Sequence, residues 1–289
     1  MRINHNINSM VTQNSMFAVN RDMSKSLERL STGLRINRAS DDAAGLGVSE
    51  NLRTQVKGTA QAIRNAQDGI AAITIAEGAA NEISGIMQRM RELAVQSSND
   101  TLTSTERAYT DQEYGQLISE IDRIAAVTNY NGMKLISSGP AGTTANARFG
   151  LGGTGGAGSA LWIDANDTYG LDSITITIDT LTTADLSIDT TTLSDQTHAV
   201  ASISALDSSI YSVNTMRSNM GAFINRLEHA INNLMISNTN QQAAESLIRD
   251  VDFATETTQF TRNQILSQSG TAMLSQSNML PQGVLQLLQ

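Results

Sequence analysis

Several stretches of the chain carry residue combinations that can do chemistry when the surrounding fold supports them. Gly150-Leu151-Gly152-Gly153-Thr154-Gly155 has the G-x-G-x-x-G spacing with which a backbone closes around a pyrophosphate. That chemistry needs a strand leading in and a helix leading out, and neither pattern flanks these glycines. Asp164, Asn166, Asp167 and Gly170 crowd oxygen ligands together as a calcium loop does, but the bidentate Glu that closes such a loop is missing. Asp41 and Asp42 are adjacent, so their carboxylates diverge and suit helix capping better than acid–base work. The histidines, His5, His198 and His229, have no second ligand at metal spacing, and neither H-E-x-x-H nor G-x-S-x-G occurs. The expectation is a chain with no catalytic site, no cofactor and no metal, and so not an enzyme.

Composition narrows the classes further. The 289 residues are 40% apolar, enough for a packed core, yet include only one Trp, five Tyr and five Phe. Abundant Ala, Met, Ile, Leu, Ser, Thr and Asn favour long helices with thin seams over a bulky globular core. A net charge of −9 without a basic cluster argues against nucleic acid and against an anionic membrane surface. There is no cysteine, hence no disulfide framework. The opening Met1-Arg2-Ile3-Asn4-His5-Asn6 lacks the apolar run of a secretory signal, and no stretch is apolar enough to span a bilayer, so export by another route is expected if the chain leaves the cell.

The elements that would position any function are mostly helical. Met16, Met23, Leu27, Leu30 and Leu34 trace one helical face, and Ile3, Ile7, Met10 and Phe17 a second, so this segment needs two neighbours. Gly33 supplies a stop, and residues 37–42 a connector. From about Asp41 to Ser98 two seams run side by side, Leu52 to Ala94 and Ala72 to Leu93, in steps of three and four. An unbroken helix there is about 87 Å long, against roughly 50 Å for a compact globule of this size. Gly58, Gly69, Gly78 and Gly85 interrupt it, which close approach of a neighbouring helix would explain. Thr103 to Glu106 forms a capping box for a third helix with Tyr114, Leu117, Ile121 and Ile124 on its face, and Asn131-Gly132 can seat a hairpin turn.

After Ser137 the pattern changes. Gly is dense from Gly139 to Gly158, then Ile174, Ile176 and Ile178 alternate with Thr, followed by Leu186 and Ile188, as in strands. The acidic residues of this insert are all Asp, as suits a solvated outer module. Helical spacing resumes at Ala199 and runs to Leu234. A last stripe holds Leu266, Met273, Leu280, Val284 and Leu287, with Pro281 expected to bend or restart the helix. The fold class expected is mainly α: an elongated helical hairpin rod with coiled-coil-like terminal helices and a small β-rich insert. Terminal helices with apolar stripes on more than one side favour association, and a head-to-tail contact that does not close produces a filament.

Six ordered motifs resemble those of bacterial flagellins: residues 30–37 (Leu30-Ser31-Thr32-Gly33-Leu34-Arg35-Ile36-Asn37), Asp41-Asp42-Ala43-Ala44-Gly45-Leu46, residues 88–96 from Gln88 to Gln96, Asn225-Arg226-Leu227-Glu228, Ile248-Arg249-Asp250-Val251-Asp252, and residues 281–288 from Pro281 to Leu288. The resemblance covers roughly residues 1–136 and 197–289. It implies a structural subunit that polymerises into the flagellar filament for swimming motility, with a hook-filament junction protein as the alternative. It implies residues 1–40 and 250–289 as an inner-tube domain with its connector, 41–137 and 196–249 as a helical rod domain with a β-hairpin, and 138–195 as a variable outward insert. Met16, Met23, Leu27, Leu30, Leu266, Met273, Leu280, Val284 and Leu287 would then pack the filament core. Its implied partners are copies of the chain, an export chaperone at the C-terminal helix, and hook-associated junction and cap proteins. Toll-like receptor five of a host is a further implied partner, through Arg89, Leu93 and Glu113. The implied location is the extracellular flagellum, reached without a cleaved signal peptide; the sequence is equally compatible with a periplasmic one.

Overall fold

The computed structural model describes residues 6–137, 159–163 and 173–286, with side chains described as far as Met279. The glycine motif at 150–155, the Asp-rich stretch at 164–170, His5 and Leu287 lie outside the described residues, as do the side chains of Leu280 and Val284. In order the elements are α1 (Ile7–Thr32), α2 (Ala43–Ser97), α3 (Ser104–Val127), β1 (Asn129–Tyr130), β2 (Met133–Lys134), β3 (Ser159–Trp162), β4 (Ser173–Ile176), α4 (Gln196–Arg249) and α5 (Phe253–Gln286). Among the described residues the fold is mainly α, with two small antiparallel sheets, β1–β2 and β3–β4. The chain divides into two compact units, one of Met1–Val56 with Thr239–Gln289 and one of Lys57–Asn238.

The second unit is organised by one repeat. On α2 the buried positions Thr59, Ala62, Ala66, Gly69, Ile73, Ala76, Ala80, Ile83, Met87, Met90, Ala94 and Ser97 alternate steps of three and four throughout. The two seams read from the sequence are thus a single stripe with Ala72, Ser84 and Leu93 on its flanks. Alanine at five of these positions lets partners approach closely, and the long residues between them interdigitate. Ala199, Ser202, Leu206, Ser209, Val213, Met216 and Met220 supply the same repeat from α4, and Tyr114, Ile121 and Ala125 a shorter one from α3. Arg217, which breaks the apolar spacing of α4, meets Glu77 at 3.0 Å.

Local signals set the connections. Thr103 and Glu106 form the reciprocal capping box at the start of α3. The Arg107 guanidinium donates to the carbonyls of Ser97 and Asn99 at the end of α2, at 3.0 and 2.9 Å. Asn131 (φ 50°) and Gly132 (φ 79°) both take the left-handed conformation that a two-residue hairpin between β1 and β2 requires.

The segment after β4 departs from expectation. Ile174, Ile176 and Ile178 do alternate with exposed neighbours and are buried, but Leu186 and Ile188 do not extend a strand. Ser187 sits at φ 56°, and Leu186 N–H turns back to the Thr182 carbonyl, so the chain coils while still burying both apolar residues. Together with Leu181 and Leu193 they join the core shared by α2, α3 and α4. Two α3 carboxylates hold this coil: Asp122 accepts from Thr183 N–H and Oγ1 at 2.9 and 2.7 Å, and Asp111 from Leu193 N–H at 2.6 Å.

Pro281 does not end α5, which continues to Gln286. The glycines of α2 also differ from expectation. A Cβ at Gly69 would lie 2.8 Å from Leu161 Cδ1, so what approaches there is the β3 strand and not a helix; Gly78 and Gly85 face open space. Those two therefore weaken the helix with no packing in return. Gly78→Ala and Gly85→Ala are each expected to stabilise the free chain by about 1 kcal/mol, and Gly69→Ala to gain less because Leu161 must move. Chemical denaturation followed by circular dichroism measures all three.

Candidate functional site

The first unit is an antiparallel pair, α1 on α5. Asn6 caps α1 by accepting from Ser9 N–H, and Gly33 at φ 74° ends it, its own N–H donating to the Arg29 carbonyl. On α1 Ser9, Thr12, Met16, Val19, Met23, Ser26 and Leu30 form a buried to half-buried row, with half-buried Asn20, Glu28 and Arg29 beside it; on α5 the row is Glu256, Phe260, Asn263, Ser267, Gly270, Leu274 and Ser277. Both rows alternate steps of three and four, the spacing of a two-helix seam. Asn6 Nδ2 donates to the Ser277 carbonyl at 2.8 Å, Ser9 Oγ to Asn278 Oδ1 at 2.9 Å, and Arg29 meets Glu256 at 3.4 Å. Met16 fits where Gly270 has no side chain, since a Cβ there would lie 2.9 Å from Met16 Cγ.

This seam mixes small and polar residues with Met16, Val19, Met23, Leu30, Phe260 and Leu274, while other large apolar residues face away from it. Ile7, Met10, Val11, Phe17 and Leu27 on α1 and Phe253, Ile265, Leu266, Met273 and Met279 on α5 are exposed, Phe17 to 67% and Met273 to 60%. The stripe read from the sequence is accordingly divided. Met16, Met23 and Leu30 lie in the seam, whereas Leu27, Leu266 and Met273 point outward. At about 100° per residue, Leu27 falls beside the seam residue Ser26 and on the solvent flank. The polar seam positions and Glu256 escaped the sequence reading because hydropathy is silent at Ser, Asn and Gly; the three-four spacing of those residues was the signal available.

The connector that follows α1 is fastened to the end of α4. Leu34 bridges Asp250, Arg35 N–H donates to the Arg249 carbonyl at 2.7 Å, and Val251 N–H to the Gly33 carbonyl at 3.0 Å. Asp42 caps α2 through Gly45 N–H at 2.9 Å. Asp41 accepts from Lys25 Nζ at 2.7 Å and from the N–H groups of Arg38 and Asn37. The Lys25 bond, helped by those two amides and opposed by burial, brings the Asp41 carboxyl down to about 2. Charge is unevenly divided: the first unit holds nine basic and nine acidic residues, the second ten and nineteen, so the net −9 resides in the second. A net-neutral surface with large outward apolar residues is chemically a packing surface. Among the described residues no group of His, Cys, Asp and Glu is arranged to hold a metal ion.

Comparison with known proteins agrees with this geometry. Residues 3–139 match the bacterial flagellin N-terminal helical region, and residues 203–288 the C-terminal helical region. The chain belongs to the bacterial flagellin family. It is 40% identical over the full length of both chains to a flagellar filament 33 kDa core protein of Treponema phagedenis. It is 44% identical, again over both full lengths, to a flagellin of Halalkalibacterium halodurans. A solved structure described as a flagellar hook-associated protein from Vibrio parahaemolyticus shares the fold, with a TM-score of 0.55 over 72% of this chain and 99% of that one, at 17% identity.

The other residues singled out through the flagellin resemblance lie in the second unit. Arg89 pairs with Glu113 across α2 and α3 at 3.0 Å and with Glu92 on its own helix at 3.0 Å, both in solvent. Leu93 is 2% exposed and belongs to the core. The structure thus brings two of the three together at the surface and sets the third beneath it.

The low Asp41 value has a testable sign. A carboxyl depressed in the folded state stabilises it fully above the unfolded value of about 4, and that contribution is lost as pH falls through about 2. Asp41→Asn should lower the melting temperature at neutral pH, and the gap from the unaltered chain should close between pH 4 and pH 2. Thermal melts followed by circular dichroism at stepped pH read this directly.

Proposed function

We infer that this chain is the structural subunit of a flagellar filament, polymerising with copies of itself through the outward faces of α1 and α5. The observation that carries this reading is the set of large apolar side chains that the helix pair leaves outside, Phe17, Leu27, Leu266 and Met273 among them. Exposed apolar area of that extent favours association by roughly 25 cal/mol per Å² covered. The flagellin family is a structural one, and the filament as a polymer is its product.

Finer features follow from the same reading. Residues 1–40 and 250–289 form the inner tube of the filament, 41–137 and 196–249 the layer around it, and 138–195 the outward part. Met16, Met23 and Leu30 act within the subunit, and Leu27, Leu266 and Met273 between subunits, continued by Leu280, Val284 and Leu287. Before assembly the outward stripe of α5 needs cover, the role of an export chaperone as the subunit travels through the flagellum's own secretion apparatus to the outside. The ends of the filament offer the same faces to junction and cap proteins. Arg89 and Glu113 present the surface for Toll-like receptor five, with Leu93 supporting it from the core.

Seeded growth on filament fragments, followed by electron microscopy, tests the main reading. Leu27→Asp and Met273→Asp should stop elongation while leaving the circular dichroism of the second unit intact; unimpaired growth of both would overturn it. For the receptor, Arg89→Ala combined with Glu113→Ala should lower signalling by free subunits in a reporter assay without changing the fold. Leu93→Ala should cost about 2–5 kcal/mol of stability as well, which a melting curve separates from lost contact.

A further inference from the structure

The outward stripe of α5 carries a cation that no described residue holds. Arg262 heads the run Arg262, Leu266, Ser269 and Met273, whose four-three-four steps set it on one side of the helix, and it borders a shallow groove with Thr258 and Ile265. Its guanidinium has no hydrogen bond or ion pair among the described residues. The other described basic residues of this unit, from Arg21 to Arg249, each meet a carboxylate or a backbone carbonyl. Covering Leu266 and Met273 with a second subunit takes Arg262 out of water, and a desolvated cation persists only beside an anion.

The unit is charge-balanced, so the anion can come from a second copy. Among its nine acids, Asp41, Asp42 and Asp252 cap turns or helices, and Glu28, Glu50 and Glu256 sit in ion pairs. Asp22, Glu245 and Asp250 remain, and of these Asp22 alone lies on α1 or α5. It stands about three turns beyond exposed Val11 on the same side of α1, on the flank away from Phe17 and Leu27. Its bond to the adjacent Arg21 spans 3.5 Å between side chains that are 57% and 78% exposed, a contact worth little and readily exchanged.

We propose that Arg262 of one copy is received by Asp22 of a second copy, as the charged anchor of the apolar contact between their outward faces. The pair gives that contact an orientation which apolar residues alone do not specify, since sliding one face along the other sets Arg262 against Val11, Ser15 or Ala18, or against the like charge of Lys25. The proposal rests on the filament reading above.

The test is seeded elongation with the full chain. Arg262→Glu alone and Asp22→Lys alone should each slow elongation at least about tenfold, with the melting curve of the free chain unchanged. An equimolar mixture of the two variants should recover to within about threefold of the unaltered rate, because alternating copies restore one opposite-charge pair at every contact. The double variant Arg262→Glu with Asp22→Lys should recover likewise. Unaltered growth of either single variant, or slow growth that neither the mixture nor the double variant repairs, would overturn the pairing. Repair by Glu245→Lys in place of Asp22→Lys would overturn it equally. Failure of the unaltered chain to elongate would instead remove the filament reading.

Discussion

A helix packed against one neighbour buries a stripe about a third of its circumference wide, and the residues on that stripe decide how much the pair gains by itself. In α1 and α5 the stripe holds Ser9, Ser26, Ser267, Gly270 and Ser277 together with Met16, Met23, Leu30, Phe260 and Leu274. Such a seam aligns two helices and stores only part of their apolar surface. Phe17, Leu266 and Met273 are left for other contacts, and the assembly chemistry of the first unit descends from that division. The buried Glu256 and its partner Arg29 fit the same logic, each at the end of its helix where the macrodipole favours its sign.

The second unit solves the opposite problem. Its repeat on α2 places Ala66, Ala76, Ala80 and Ala94 between Ile73, Ile83, Met87 and Met90, and every one of these is fully buried within the unit. What α3 and α4 leave uncovered is filled by the coil after β4, tied down by Asp111 and Asp122. Coil residues that satisfy their amides on helix carboxylates behave thermodynamically as part of the core, because releasing them would strand charged acceptors and apolar side chains together.

Much of this was legible in the residues. The capping box at Thr103, the Asn131-Gly132 turn and the stop at Gly33 are local signals, and each formed as its chemistry dictates. Helical periodicity located α2 and α4 because their buried faces are apolar. It was a poorer guide on α1, where Leu27 and Met23 belong to different faces four residues apart and the seam includes Ser9 and Ser26 beside Met16, Met23 and Leu30. The coil at Leu186 and Ile188 looked like a strand because alternation reports burial and not backbone conformation, and a single left-handed Ser187 separates the two. Gly78 and Gly85 show the limit from the other side, since no neighbour explains them and nothing in their spacing says so.

The partition of charge has a colloidal meaning. A net-neutral unit with apolar outward faces joined in one chain to a unit carrying the whole −9 is a polyelectrolyte amphiphile. Repulsion between such chains reaches about 10 Å at 0.1 M salt and shrinks as salt is added, whereas attraction between their neutral apolar parts is not screened. Salt should therefore draw copies together by relieving the repulsion of the second units while leaving the contact made by the first largely untouched.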